Sequence, residues 1–347
     1  MLLEVGPLTA RPGQKVRDSV LAEPGVAIPV ALVNGTRPGP RTVITAGVHG
    51  GEFTGVEAAT LLAAELDPAE VRGQLVICPV ANPAAVYQGR LGVSPVDGVN
   101  LNRVFPGDPD GKPTERLAAW LFANLVSGAD AYIDLHSGGI DEKLRDFVGC
   151  RISGDAAVDA RALELARSAG IPDVILGADA EGGNSHAAAA RRGIPAILIE
   201  KGQLGERDLG AARCLADALR DRLLPAVWQR GSSPRDPGEV REWVWAGAAE
   251  APVSGLWYPA FNVGDEVERG QPLGRIVDPA DGAATGIPAP ATGRLFYGMR
   301  GLTVGVGAEL AAIAAPRRLG AAAQNLASAE ADEHRSFAPH EKPGATR

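Results

Sequence analysis

No apolar run in this sequence approaches the roughly 18–20 residues of a membrane span, so a helical membrane protein is excluded. Cations are not in excess either. The 34 Lys and Arg against 42 Asp and Glu leave a net charge of −8, which argues against nucleic acid, whose binding needs clustered Lys and Arg. The N-terminal stretch MLLEVGPLTARPGQKV lacks a basic region followed by an apolar core and does not read as a secretory signal. Cysteine occurs three times, at Cys78, Cys150 and Cys214, with no CxxC spacing. Cys78 and Cys150 sit within or beside apolar runs and read as buried thiols, which fits a reducing cytoplasm. Histidine occurs only five times. Otherwise the chain is ordinary. It is 45% hydrophobic and 22% charged over 347 residues, a globular composition long enough for one large domain or two smaller ones.

The order of elements reads as α/β. RTVITAG (41–47), QLVICPV (74–80), DAYIDLHSGG (130–139) and IPAILIEKG (194–202) read as strands that are apolar throughout. Between and after them, residues 52–66, 160–170 and 206–224 read as helices, with Gly170 as a stop signal. Such alternation predicts a mainly parallel sheet covered on both faces. From about residue 229, QRGSSPRDPGE reads as a linker, followed by short β-like pieces up to about residue 316. The expected organisation is therefore an α/β domain over 1–228, a small all-β domain over 236–316, and a disordered tail over 317–347. That tail holds His334 and His340, which read as functionally silent.

Three of the strands end in chemically interesting residues: His49, His136 and Glu200. Ligands of open α/β sheets bind outside the carboxyl ends of the strands. His49 lies in AGVHGGEFTG, with Glu52 three positions on. With His136 these make a His₂Glu set, the ligand set of catalytic zinc in carboxypeptidase A, and there is no HExxH. The bland alternative for the first pair is a turn histidine beside a helix-capping glutamate. For Glu200 it is a strand-end charge paired with Lys201 or an Arg. Asp134, two residues before His136, is a candidate for orienting a ligand. His186, in GGNSHAAAARRG, reads as a solvent or capping histidine at the start of a helix capped by Asn184 or Ser185, with a histidine facing the pocket as the alternative.

The order HxxE, then NLNR (100–103), then DLH (134–136), then a strand ending in Glu resembles succinylglutamate desuccinylases and aspartoacylases, relatives of the zinc carboxypeptidases. The resemblance covers roughly residues 40–225. It implies one zinc per chain held by His49, Glu52 and His136, with Glu200 as general base. It implies Asn102 and Arg103 as a clamp on a substrate carboxylate, and Arg90 as the group that polarises the scissile carbonyl. Asn100 stands where some relatives have Asp, so a carboxylate role there is lost. The implied activity is hydrolysis of an N-acylated amino acid, with N-acetylated diaminobutyrate among the candidates. A carboxypeptidase acting on peptides and a non-catalytic metal-binding homologue remain as alternatives. The expected partner is a small N-acyl amino acid, with no nucleic acid or membrane; a homo-oligomer is compatible. The β-domain resembles the barrel-sandwich fold of biotinyl and lipoyl carriers. Its turn, DPADGAATG, has no lysine, so it is not a carrier; it could narrow the pocket mouth or build a contact between copies.

Overall fold

The computed structural model describes residues 1–89, 92–178, 183–228 and 240–317. Arg90, the expected linker and the tail from 318 onward, with His334 and His340, lie outside the described residues. A 13-stranded mixed sheet runs through the molecule. Its centre is built by Arg72–Cys78, Arg37–Ala46, Ala131–His136, Ala196–Glu200, Phe147–Ile152, Asp173–Ala178 and Arg241–Glu250, in that spatial order. Neighbours in this stretch are parallel, except where Ala196–Glu200 meets Phe147–Ile152. Beyond Arg72–Cys78 the antiparallel pair Val26–Asn34 and Gln14–Glu23 completes one edge.

The apolar strands are apolar because both faces are covered. Ile44, Ile133 and Ile197 point into one core, shared with Leu62 and Leu165 from the helices Phe53–Glu65 and Ala156–Ser168. Their chain neighbours Val43, Tyr132 and Ala196 point into a second core on the other face, with Leu117 and Ala189. One-residue alternation therefore fills two cores from the same strands. The last expected helix is present as Leu209–Ala218, which continues through one wider turn, Leu219–Leu223, into Leu224–Trp228.

The strands Phe147–Ile152 and Asp173–Ala178 were not expected from the sequence. They bridge the sheet to the C-terminal β segment. Arg241–Glu250 lies parallel to Asp173–Ala178, and Glu309–Pro316 and Gly293–Met299 extend the same sheet. Phe147, Ile175 and Leu198 from the first part of the chain pack with Trp243, Phe296 and Ala314 from the last. A four-stranded sheet, Ala284–Pro288, Pro272–Val277, Gly255–Pro259 and Thr303–Val304, completes the C-terminal segment. Among the described residues no helix is long and apolar enough to cross a membrane.

Candidate metal centre and active site

The glycines around His49 serve a turn and a close approach. After the strand Arg37–Ala46, Gly47 and Gly51 take φ of +64° and +88°, the left-handed region that side chains resist. A Cβ on Gly55 would come within 3.0 Å of Leu135, so the helix Phe53–Glu65 lies directly against the His136 strand only with glycine there. Glu52 occupies the N-cap position of that helix yet makes no side-chain cap hydrogen bond. Its carboxylate turns to the two histidines instead. Glu52 Oε1 lies 2.6 Å from His49 Nδ1, and Oε2 lies 2.8 Å from His136 Nδ1. Ser137 N also donates to Oε2, at 3.3 Å.

One ligand atom each from His49, Glu52 and His136 lies within 4.8 Å of the others. The far nitrogen of each ring is fixed by an oxygen. His136 Nε2 donates to Asp134 Oδ2 at 3.0 Å, and His49 Nε2 donates to Asn100 Oδ1 at 2.9 Å. Such partners set the tautomer and aim Nδ1 at the shared point. Asp134 is itself tied down, accepting from Thr45 Oγ1 at 2.6 Å and from Ser185 Oγ. Burial alone would raise the Glu52 carboxyl, but His49 and His136 outweigh it and hold that carboxyl below the usual range. Burial would likewise lower His136, yet Asp134 and Glu52 raise it well above an ordinary imidazole. Two nitrogens facing two carboxylate oxygens at these distances need protons or a cation between them. Asn100 thus orients the His49 ring through an amide oxygen.

Glu200 ends its strand in register with His136, on the neighbouring strand. Its Oε2 is sealed from solvent and has no hydrogen-bond partner. Burial, with Glu52 next in weight, pushes this carboxyl well above its usual range. Lys201 is not its partner: Lys201 Nζ donates to Asp146 Oδ2 at 2.8 Å.

A model of the succinylglutamate desuccinylase/aspartoacylase catalytic domain matches residues 38–221, more than half of the chain. The chain belongs to this family. Over 151 residues it is 41% identical to the N-alpha-acetyl-L-2,4-diaminobutyric acid deacetylase of Halomonas elongata, a match spanning 44% of each chain. Among solved structures it is similar to a succinylglutamate desuccinylase/aspartoacylase from Rhodobacter sphaeroides, with 27% identity and a TM-score of 0.76 over 88% of this chain and 97% of that one. It is also similar to the product-bound ectoine utilization protein EutE of Ruegeria pomeroyi, with 25% identity and a TM-score of 0.75 over 84% of this chain and 89% of that one. A deacylase family with this fold accounts for a large mixed sheet whose strand ends converge on one site.

The remaining family motifs are placed as follows. Asn100, Asn102 and Arg103 lie on or beside the short helical turn Leu101–Arg103. Asn100 caps it, its Oδ1 accepting from Asn102 N at 2.8 Å. Asn102 is buried, and its Oδ1 accepts from Ser185 N at 2.9 Å, so it joins the turn to the helix Ser185–Arg191. Arg103 Nη1 donates to Asn102 O at 2.9 Å. Burial lowers the Arg103 guanidinium to about 10, so it stays charged at neutral pH. Arg90 lies outside the described residues.

His186 differs from its expectation. It is buried, at 4% exposure, and its Nδ1 is sealed and unpartnered. Asn184 is at the N-cap of its helix but makes no side-chain cap bond. Burial first, then Arg151, pushes the His186 imidazole down to about 3. An unfolded histidine takes up its proton near pH 6.5, whereas folded His186 does so only near pH 3. As pH falls through that window, proton uptake favours the unfolded chain, so stability declines. His186→Leu removes the difference. Urea midpoints at pH 7.5 and 5 should then fall less in the variant than in the wild type; parallel declines would show that His186 is not held neutral.

Proposed function

We propose that the protein is a zinc-dependent amidohydrolase that cleaves the amide bond of N-acyl amino acids, releasing a carboxylate and an amine. The observation that carries the reading is the meeting of His49, Glu52 and His136 at neighbouring strand ends, with the Glu200 carboxyl in register beside His136. The donor set fits zinc: two imidazole nitrogens and one carboxylate, with both outer ring nitrogens already bound to oxygen. Zinc held there would supply Lewis acidity, lowering the pKa of water toward 7 and polarising the amide carbonyl.

Glu200 is the proton carrier of this reading. Its carboxyl accepts the proton of the attacking water and returns it to the leaving amine. Its raised proton affinity suits the second half of that task, because it holds the proton until a basic amine appears. Arg103 binds the substrate carboxylate in two-point fashion. Asn102 already engages Ser185 through Oδ1, so its contribution to the clamp comes from Nδ2. Arg90 remains the family-derived candidate for polarising the carbonyl. Residues 1–228 form the catalytic part, and the C-terminal β segment narrows the pocket mouth or builds a contact between copies. The cytoplasm is the proposed location.

The Halomonas relative is named for Nα-acetyl-2,4-diaminobutyrate, which makes that compound the first substrate to try. Zinc-loaded protein is assayed against N-acetyl amino acids and matched dipeptides. Faster hydrolysis of the N-acetyl compounds is expected. Faster hydrolysis of dipeptides would favour a carboxypeptidase, and bound zinc with no turnover of either would favour a non-catalytic homologue.

A further inference from the structure

The turn that carries Asn102 and the helix that begins at Ser185 are locked to each other. Phe105 N donates to Gly183 O at 2.8 Å, and Val104 and Gly183 form a short parallel bridge. A Cβ on Gly183 would come within 2.0 Å of Arg103 O, so only glycine allows this approach. Two residues on, Ser185 N donates to Asn102 Oδ1 at 2.9 Å. Gly183 and Ser185 are therefore both tied to residues 102–105, and that turn sets where the helix Ser185–Arg191 begins. Asn102 and Ser185 are both buried.

Ser185 is placed to act on Asp134. Its Oγ donates to Asp134 Oδ2, the same oxygen that accepts from His136 Nε2 at 3.0 Å. The other oxygen, Oδ1, accepts from Thr45 Oγ1 at 2.6 Å. Thr45 Oγ1 also lies 2.7 Å from the Tyr132 hydroxyl. Thr45 has one hydroxyl hydrogen, already given to Asp134, so Tyr132 is the donor there. Asp134, Thr45 and Tyr132 are buried, so water does not replace a donor that is removed. The same turn reaches the second histidine. Asn100 Oδ1 accepts from His49 Nε2 at 2.9 Å and from Asn102 N at 2.8 Å. The outer nitrogens of both histidines are held from one segment: directly at His49, and through Ser185 and Asp134 at His136.

We propose that Ser185 and Asn102 are positioning residues of the metal centre: Asn102 seats Ser185, Ser185 seats the Asp134 carboxylate, and Asp134 aims His136. This rests on the zinc reading above and adds to it Ser185, which lies outside the HxxE, NLNR and DLH motifs. A carboxylate behind a ligating histidine sets the direction and basicity of the ring. It does so fully only when its own rotamer is already fixed, because ordering it on metal binding costs affinity. A hydroxyl suits this task, since it fixes Asp134 without bringing a cation that competes with His136. Asn102 then has a separate task on each amide atom, Oδ1 for Ser185 and Nδ2 for the substrate carboxylate.

The test is the zinc affinity of the full-length protein, read by titration against a competing chelator, with the melting temperature of the zinc-free form measured alongside. Ser185→Ala should weaken zinc binding about 10-fold, the low end of the range for outer partners of a ligating histidine, because Asp134 keeps Thr45. Ser185→Thr restores the hydroxyl and should recover most of that loss. Asn102→Ala should weaken zinc binding by a similar factor. Asn102→Asp keeps an oxygen for Ser185 N and lacks the Nδ2 donor, so it should hold zinc while raising KM for Nα-acetyl-L-2,4-diaminobutyrate. Ser185→Ala added to Asp134→Asn should cost little beyond Asp134→Asn alone, since residues acting in series are not additive. Wild-type zinc affinity in Ser185→Ala would overturn the inference. So would a lower melting temperature with unchanged affinity, which marks a merely structural serine, or fully additive losses with Asp134→Asn. Should Ser185→Ala fail to fold, Asn102→Ala against Asn102→Asp decides the matter, and equal zinc affinities in those two overturn the inference. A wild type that binds no zinc overturns instead the reading on which it rests.

Discussion

Glu200→Gln should keep zinc and fold while lowering kcat by about 10²–10⁴-fold, the range for general-base help. The upper part of that range is expected, because the same carboxyl serves both as base toward water and as acid toward the amine. The substitution is clean for a structural reason. Glu200 Oε2 makes no hydrogen bond that an amide would break. A neutral amide also suits a buried position where Glu52 and Glu142 disfavour a charge. The melting temperature should therefore stay close to that of the wild type, and metal analysis should still find zinc, since Glu200 is proposed to touch the water and not the ion. A near-wild-type kcat with zinc still bound would mean the proton travels another way. The next residue to change would then be His186, whose Nδ1 is also buried and unpartnered.

Glu200 was legible in the sequence because an acid after PAILI has no apolar surface to cover and ends a strand. His49, Glu52 and His136 were legible for the same reason, since short motifs at strand ends carry their positions with them. The strand Phe147–Ile152 was not. Its sequence, FVGCRI, is interrupted by Gly149 and Arg151, and it becomes a strand through its neighbours in the sheet, with Leu198 opposite Gly149. His186 was misjudged because its helix, SHAAAAR, is alanine on every side and shows no apolar stripe to mark its buried face. The strand Glu142–Leu144 gave no signal at all, because its partner, Gly293–Met299, lies far along the chain and one sheet runs from the first part of the chain into the C-terminal segment. Local pattern reports what a residue's own element needs; it does not report which distant element will close over it.

Purified protein should carry about one zinc per chain, and His136→Ala should remove both metal and activity. His136 is 1% exposed and joins two carboxylates, Glu52 through Nδ1 and Asp134 through Nε2. Its loss deletes one ligand and leaves Glu52 and Asp134 each short of a partner. Asp134 retains Thr45 and Ser185, and Glu52 retains His49, so the fold should survive with reduced stability. His49→Ala should also strip the metal, with less loss of stability, because His49 is the more exposed of the two rings. A graded variant separates a metal site from a merely structural cluster. Asp134→Asn keeps the hydrogen-bonding shape but withdraws the charge that makes His136 a stronger donor. An outer-shell change of this kind typically costs 10- to 100-fold in metal affinity or activity. Zinc titration against a competing chelator should show that intermediate loss, between the wild type and the two alanine variants. Full metal retention in both His49→Ala and His136→Ala would remove the zinc assignment, and with it the role given to Glu200.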